Sequence, residues 1–486
     1  MKNLFFERKK DFISYDAQYS LEDNRFILLC EGELYINNHS LSPSQLLDYL
    51  SNGGDLSLLD GLYSLVIYDK ETQLLIATQD MVSYYHPLYY YLNQDYLIVS
   101  LSLKELIIKS EIKPQIEDGN VSEFLYNGFL TDDRCLLKEI KKVPAVHVFK
   151  YNFVAKTANY KKKHYDLKGD ITKTTDYFSL LETSIKESLI GNKEINMALS
   201  SGFDSNLLLH IVTTLNPKCK INAFCIGSCD GNDETQSVQD ICKIYPQVNL
   251  TLHKVSPDVL ESFPQMIFEL EDSVFERGIF LQYMMGEAIS SKGELPTFFG
   301  EGADQLLSSE LRISGDPYYF VGIEQHYPWV YFPYEMLTYI IIKKNGIFLR
   351  NRNVNAKYPF IRKEFIQGVN AYRAENGTSK EHYKKYIVDL VDPKVAERLV
   401  KRPGSTNLTS LFDENNTRRL FSAAESCRFY SMLTKQPDRD SGNEVDMDNC
   451  LKILYLKCFE KIFCENSDKL EEKKCSFTFE ELIGNY

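Results

Sequence analysis

Leu199-Ser-Ser-Gly-Phe-Asp-Ser205 is the stretch from which the rest of the chain is read. Before it, Ile195 to Leu199 is a short, mostly apolar run that reads as a buried strand. After it, Leu207, Leu208, Leu209, Ile211, Val212 and Leu215 recur at helical spacing. A strand, a turn of small residues and a helix are the parts of a phosphate site. The turn offers backbone N–H groups and the helix N-terminus adds partial positive charge. Gly202 lets a ligand approach the backbone, Ser200, Ser201 and Ser205 offer hydroxyls, and Asp204 offers a hard oxygen for Mg²⁺. An ordinary β–turn–α junction with Ser205 as helix cap has the same six residues. Both readings stand at this point.

A second turn narrows them. Phe299-Gly-Glu-Gly-Ala-Asp304 follows a predicted strand at 297–299. Glycines again flank a carboxylate at a strand end, where open α/β sheets bind ligands. Asp204 and Asp304 are therefore a candidate pair for one Mg²⁺–phosphate cluster.

The chain around these turns divides in two. Residues to about 160 are rich in short apolar or alternating runs, such as Tyr63-Ser-Leu-Val-Ile-Tyr68 and Tyr96-Leu-Ile-Val-Ser100, separated by turn residues. Lys156 to Lys173 reads as a polar linker. From about 175, strands and helices alternate, which predicts a parallel sheet covered on both faces. Helices are expected at 177–189, 234–245 and 280–290, and strands at 221–226 and 248–252. The segment from 310 to 486 reads as mostly helical, with a polar loop at 436–449. The expected domains are residues 1–160 and 175–486.

Composition bounds the function. The chain has 486 residues, 44% hydrophobic and 25% charged, with a formal charge of −13. That balance excludes a general nucleic-acid binder. No apolar run reaches membrane-spanning length and the N-terminus lacks a signal-peptide core, so a cytoplasmic protein is expected. The 11 cysteines include a cluster at Cys219, Cys225, Cys229 and Cys242, without CxxC pairs, and read as buried thiols rather than a zinc site. Tyr84, Tyr85, Tyr89, Tyr90 and Tyr91 read as packing for the N-terminal domain. Glu276 and Arg277 read as a surface pair.

The two turns resemble motifs of the asparagine synthetase and β-lactam synthetase family. Ser200 to Ser205 is similar to its Ser-Gly-Gly-x-Asp-Ser loop, with Ser201 in place of the first glycine. Gly300-Glu-Gly-Ala-Asp-Gln305 resembles Gly-x-Gly-x-Asp-Glu, with Gln305 for glutamate. Ala223-Phe-Cys-Ile-Gly227 followed by Asn232-Asp-Glu234 is similar to the strand that reaches the adenine and the acidic helix start. Lys357-Tyr-Pro-Phe360 resembles an Arg-x-Pro-Phe segment. Leu59 to Asp69 and Gln79 to Tyr90 resemble the glutamine-hydrolysing domain.

The resemblance implies an α+β, Ntn-type glutaminase-like sandwich followed by an α/β, PP-loop synthetase domain with a helical C-terminal part. It implies ATP and Mg²⁺ as cofactors. Ser200, Ser201, Gly202, Phe203, Asp204, Ser205, Ile226, Gly300 and Gly302 would line the nucleotide site, and Asp204 and Asp304 would hold the metal. The family's glutaminase uses an N-terminal cysteine; here Lys2 follows Met1 and the first cysteine is Cys30, inside a predicted strand. No glutaminase activity is expected. Lasso peptide macrocyclases share a glutaminase-like domain without that chemistry. Asn355, where the synthetases carry glutamate, and Val400-Lys-Arg-Pro-Gly-Ser-Thr406 point to that branch. The resemblance then implies Lys401 or Arg402 at the acyl adenylate, with Asn355 orienting the substrate. It also implies a precursor peptide as substrate and a leader-processing protease as partner. A small-molecule amide ligase is the alternative.

Overall fold

The computed structural model describes residues 4–484 apart from 11, 37–38, 83–86, 94–95, 164–176, 229–233, 304–341, 377–379, 401–407, 409–410, 434 and 439–443. The N-terminal part is two stacked antiparallel sheets. Its strands are β1 (Phe5–Lys9), β2 (Phe12–Asp16), β3 (Tyr19–Glu22), β4 (Phe26–Ile36), β5 (His39–Ser40), β6 (Asp60–Asp69), β7 (Leu74–Gln79), β8 (Tyr89–Asn93), β9 (Tyr96–Ser100), β10 (Lys141–Lys142), β11 (His147–Asn152) and β12 (Thr157–Lys162). One sheet runs β10-β8-β9-β1-β2. The other runs β12-β11-β7-β6-β4-β3, with β5 paired to β4. Three helices accompany them: α1 (Pro43–Ser51), α2 (Leu103–Ser110) and α3 (Asp118–Asn127).

The central strands are apolar on both faces because both faces are covered. Leu29, Val66 and Ala77 meet Phe6 and Val99 of the facing sheet. Their neighbours Leu28, Cys30, Leu65 and Ile67 pack on the other side with Leu46 of α1. That double burial is why β4 and β6 read as nearly continuous hydrophobic runs.

The second part is a five-stranded parallel sheet in the order β15-β14-β13-β16-β17. Its strands are β13 (Glu194–Ala198), β14 (Lys220–Ser228), β15 (Val248–Val255), β16 (Pro296–Phe298) and β17 (Asn355–Lys357). Before and between them lie α4 (Tyr177–Leu189), α5 (Phe203–Leu215), α6 (Thr235–Cys242), α7 (Phe263–Leu270) and α8 (Ile279–Ser290). The C-terminal part adds α9 (Ile342–Asn351), α10 (Lys363–Asn376), α11 (Lys380–Leu390), α12 (Pro393–Val400), α13 (Glu414–Glu425), α14 (Glu444–Glu460) and α15 (Phe479–Ile483). No helix among the described residues is long and apolar enough to cross a membrane.

Two expectations change. Within the stretch read as a linker, Thr157–Lys162 is a strand paired along β11. It is an exposed edge strand, so it carries no buried apolar face to reveal it. The next residue, Lys163, is buried and donates toward the Gln79 carbonyl and, at 3.4 Å, the Tyr63 hydroxyl. At the other end, the expected loop 436–449 overlaps α14, which begins at Glu444. The acidic start Glu444, Asp446 and Asp448 looks loop-like in sequence but suits the positive end of a helix.

The two parts share one hydrophobic core. Phe5, Tyr89 and Ile98 from the first sheet and Phe124 from α3 lie in the same cluster as Phe263, Phe275, Phe280 and Tyr455. Polar contacts cross the same boundary. Glu271, 5% exposed, accepts from the Ser102 hydroxyl at 2.8 Å and the Lys104 backbone at 2.9 Å, and pairs with the Lys104 ammonium at 3.2 Å. Its carboxylate thus sits at the start of α2, where N–H groups and the helix dipole favour negative charge. Beside it, Asp272 pairs with buried Lys142 at 3.3 Å, and the Tyr89 hydroxyl donates to the Glu271 carbonyl at 2.5 Å. Tyr89 and Tyr90 are buried, in line with a packing role, while Tyr84 and Tyr85 lie outside the described residues.

Candidate active site

The first turn sits at the carboxyl end of β13, in the middle of the parallel sheet. Ile195 and Met197 anchor that strand in the core. The Leu199 N–H donates to the Phe224 carbonyl at 2.8 Å, so pairing with β14 continues up to the turn. Then α5 begins at Phe203 with Gly202, not Ser205, as its N-cap, a residue with no side chain to close the helix start. Such an opening presents a positive helix end at the strand terminus.

The turn is held from within. Ser205 Oγ accepts from the Ser200 N–H at 3.2 Å and lies 3.1 Å from Ser200 Oγ. Ser200 Oγ in turn accepts from the Gly202 N–H at 3.0 Å. Asn206 donates its amide to the Ser200 and Gly202 carbonyls at 2.9 and 2.7 Å. Ser201 is buried, and both its N–H and its hydroxyl donate to Glu234 Oε2, at 2.6 and 2.9 Å. In this structure that hydroxyl ties the turn to the start of α6.

The second turn reaches the first. A Cβ on Gly300 would lie 3.2 Å from the Ser205 nitrogen and 3.4 Å from Asp204 Cβ. The two glycine turns are thus in van der Waals contact, and Asp204, in the first turn of α5, lies at their junction. Gly302 has φ +102°, and a Cβ there would press 2.6 Å from Ile361 Cγ2. No side chain fits that backbone and that neighbour together. Ile226 stands on β14 beyond Phe224, the partner of Ala198, and so borders the turn on the adjacent strand.

The remaining expected residues are spread differently. Asn355 opens β17 at the level of Pro296, upstream of Gly300 on the neighbouring strand. Asp304, Gln305, Lys401 and Arg402 lie outside the described residues. Among the described residues no group of three or more His, Cys, Asp or Glu gathers as a metal site. Cys219, Cys225 and Cys242 are buried free thiols, and Cys229 lies outside the described residues. Arg277 pairs with Asp448 of α14 at 2.7 Å, and Glu276 accepts from the Gly278 N–H at 2.9 Å.

Comparison with known proteins gives the arrangement its family. A glutamine amidotransferase domain matches residues 46–165 and an asparagine synthase domain matches residues 177–318. The chain carries the paired domains of the asparagine synthetase family. The glutamine-hydrolysing asparagine synthetase of Gallus gallus is 24% identical over 318 residues, 58% of this chain and 54% of that protein. A probable asparagine synthetase of Acanthamoeba polyphaga mimivirus is 25% identical over 318 residues, 59% of this chain and 55% of its own. The chain thus spans about half the length of the curated relatives it matches. Among solved structures, a glutamine-dependent NAD+ synthetase from Acinetobacter baumannii with ADP matches at TM-score 0.27 and 12% identity, covering 74% of this chain and 62% of that one. A likeness at that score carries no weight for activity.

Within this asparagine synthetase frame, the fold is an Ntn-type glutaminase-like domain joined to a PP-loop synthetase domain. Sequence reasoning missed Asn206 and gave Glu234 no role. Both are short polar links to a turn backbone, and only the three-dimensional closure of the turn reveals their targets.

The N-terminal domain has its own candidate chemistry. Its cysteines are Cys30 and Cys135, and both are buried. Burial, with the Glu31 carboxylate adding to it, pushes the Cys30 thiol far above its ordinary range. Burial pushes Cys135 up to about 11. Neither supplies a thiolate at neutral pH.

Proposed function

We propose that the chain is an ATP-dependent ligase that activates a carboxylate as an acyl adenylate and joins it to an amine not drawn from glutamine. The observation that carries this reading is the contact of the two glycine turns at Asp204, over the open start of α5. Phosphates bind where backbone N–H groups, a helix N-terminus and hard oxygens converge.

In this reading the Ser200–Ser205 turn cradles the phosphates and Ile226 borders the adenine. Asp204 at the turn junction fits a hard cation, and Asp304 is its proposed partner. Asp204 and Asp304 would hold a Mg²⁺, which would supply charge neutralisation for the phosphates. The substrate carboxylate attacks the α-phosphorus and expels pyrophosphate. An amine then attacks the acyl carbon, an amide bond forms, and AMP departs with the former carboxylate oxygen. Lys401 or Arg402 stabilises the tetrahedral intermediate, and Asn355 orients the substrate.

The buried cysteines of the N-terminal domain support an amine carried by the substrate itself. We infer that this substrate is a lasso peptide precursor: an Asp or Glu side chain is adenylated and the peptide N-terminal amine closes a macrolactam. A leader-processing protease would supply that amine. A small-molecule amide ligase is the second reading, favoured by the similarity to asparagine synthetases.

Incubation with ATP, Mg²⁺ and precursor core peptide tests this. A product lighter by one water, with AMP and pyrophosphate, is expected. AMP formed with aspartate and ammonia, and none with peptide, overturns the peptide reading in favour of the second.

A further inference from the structure

The N-terminal domain reaches the second glycine turn through a short chain of contacts. Lys357, at the end of β17, bonds both oxygens of Glu33 on β4, at 3.0 and 2.8 Å. Arg362 bonds Asp60, the first residue of β6, at 3.1 Å and stacks 4.4 Å over the Tyr35 ring. Tyr35 and Asp60 are register partners, so the clamp is built on one rigid strand pair.

What lies between Lys357 and Arg362 is the support of the site. The Lys357 carbonyl accepts the Phe299 N–H at 3.0 Å, directly before Gly300. Tyr358 stacks on Phe299 with ring centroids 5.3 Å apart. Ile361 is the residue pressed against the Gly302 backbone. Two N-terminal carboxylates therefore grip both ends of the segment on which the glycine turn rests.

We propose that Asp60 and Glu33 are positioning residues for the nucleotide site, so that the N-terminal domain serves the second domain as a brace. The two are unequal. The Glu33 side chain is 53% exposed, and such ion pairs contribute little. The Arg362–Asp60 pair is 17% and 13% exposed, and its guanidinium is also held by Tyr35. Asp60 carries most of the effect.

This inference rests on the ATP site proposed above, and the test separates the two. Asp60→Asn, Glu33→Gln and the double variant are compared with the unmodified protein in ATP kinetics, thermal unfolding and amide exchange. With Asp60→Asn, the KM for ATP is expected to rise about tenfold, which is ~1.4 kcal/mol of binding. The kcat changes much less, and exchange quickens across 296–302. Glu33→Gln, which sits on the surface and leaves folding intact, shifts KM in the same direction by less. An unchanged KM and unchanged exchange in the double variant, with ATP still used, overturn the brace alone. So does a loss of kcat in step with thermal stability. An unmodified protein that neither binds nor turns over ATP overturns the proposed function and the brace with it.

Discussion

Glu234 accepts both the backbone N–H and the hydroxyl of Ser201 on a single carboxylate oxygen, at 2.6 and 2.9 Å. The serine that stands where a glycine is usual thus fastens the phosphate-type turn to the start of the next helix. Removing the acceptor is worse than removing the hydroxyl. Glu234→Ala leaves two buried donors without this acceptor, at about 1–3 kcal/mol for each such group. Ser201→Gly keeps the backbone bond and should cost well under half as much. Urea midpoints of the two variants check this, and equal midpoints sink it.

Asp204 lies where the two glycine turns touch. Asp204→Asn keeps the shape and removes the negative charge. If the site handles Mg²⁺–ATP, several kcal/mol of charge stabilisation disappear, so ATP–pyrophosphate exchange should fall at least about 100-fold. The unfolding midpoint should hardly move. Exchange that survives at near-normal rate rules out Asp204 as the metal-side carboxylate.

Cys30 sits in the core of the N-terminal sandwich with its thiol pushed up by burial. A thiol reagent should not reach it in the folded protein, and Cys30→Ala should leave ammonia release from glutamine unchanged, with none expected from either protein. Ammonia from glutamine that vanishes in Cys30→Ala would identify Cys30 as a nucleophile after all.

Glu271 carries its charge across the domain boundary, held by Ser102, Lys104 and the start of α2. Breaking a buried, hydrogen-bonded pair by deleting one partner costs about 3–5 kcal/mol. Glu271→Ala should lower stability by that order and weaken both domains in one transition. Calorimetry showing a small change, or two separate transitions, contradicts this.

Lys452 of α14 donates to the carbonyls of Leu125 and Tyr126 at the end of α3, at 3.0 and 3.3 Å. Burial lowers its ammonium to about 8, with Asp448 opposing the shift. The unfolded chain, near 10.4, then binds more protons than the folded one between pH 8 and about 10.4. Stability from this group rises with pH across that window. Relative to Lys452→Met, the unmodified protein should gain stability between pH 7.5 and 9.5. A difference that stays flat contradicts the burial of a strained charge.

Much of the fold is legible in the sequence where apolar residues are dense or periodic. Helix α4 matches its expected limits, and β13 to β16 fall within a few residues of theirs, because apolar spacing in a parallel sheet is dense. The edge strand β12 and the acidic start of α14 are not legible, since neither shows an apolar face at that point. The site divides in the same way. Gly202, Asp204, Gly300 and Gly302 are visible because they stand in two short glycine turns at strand ends, and at Gly302 the backbone itself demands the residue type. Asn206, Glu234 and Asp60 are ordinary polar residues, and their roles come from partners distant in sequence or hidden inside the turn.

The common core around Phe124, Phe275 and Tyr455 has a consequence for how this chain tolerates truncation. Neither half can be deleted without exposing the apolar flank of the other to water. Substitutions can alter the surface of the first domain, yet its body has to stay in place. The first domain thereby becomes part of the fabric that keeps the second one whole.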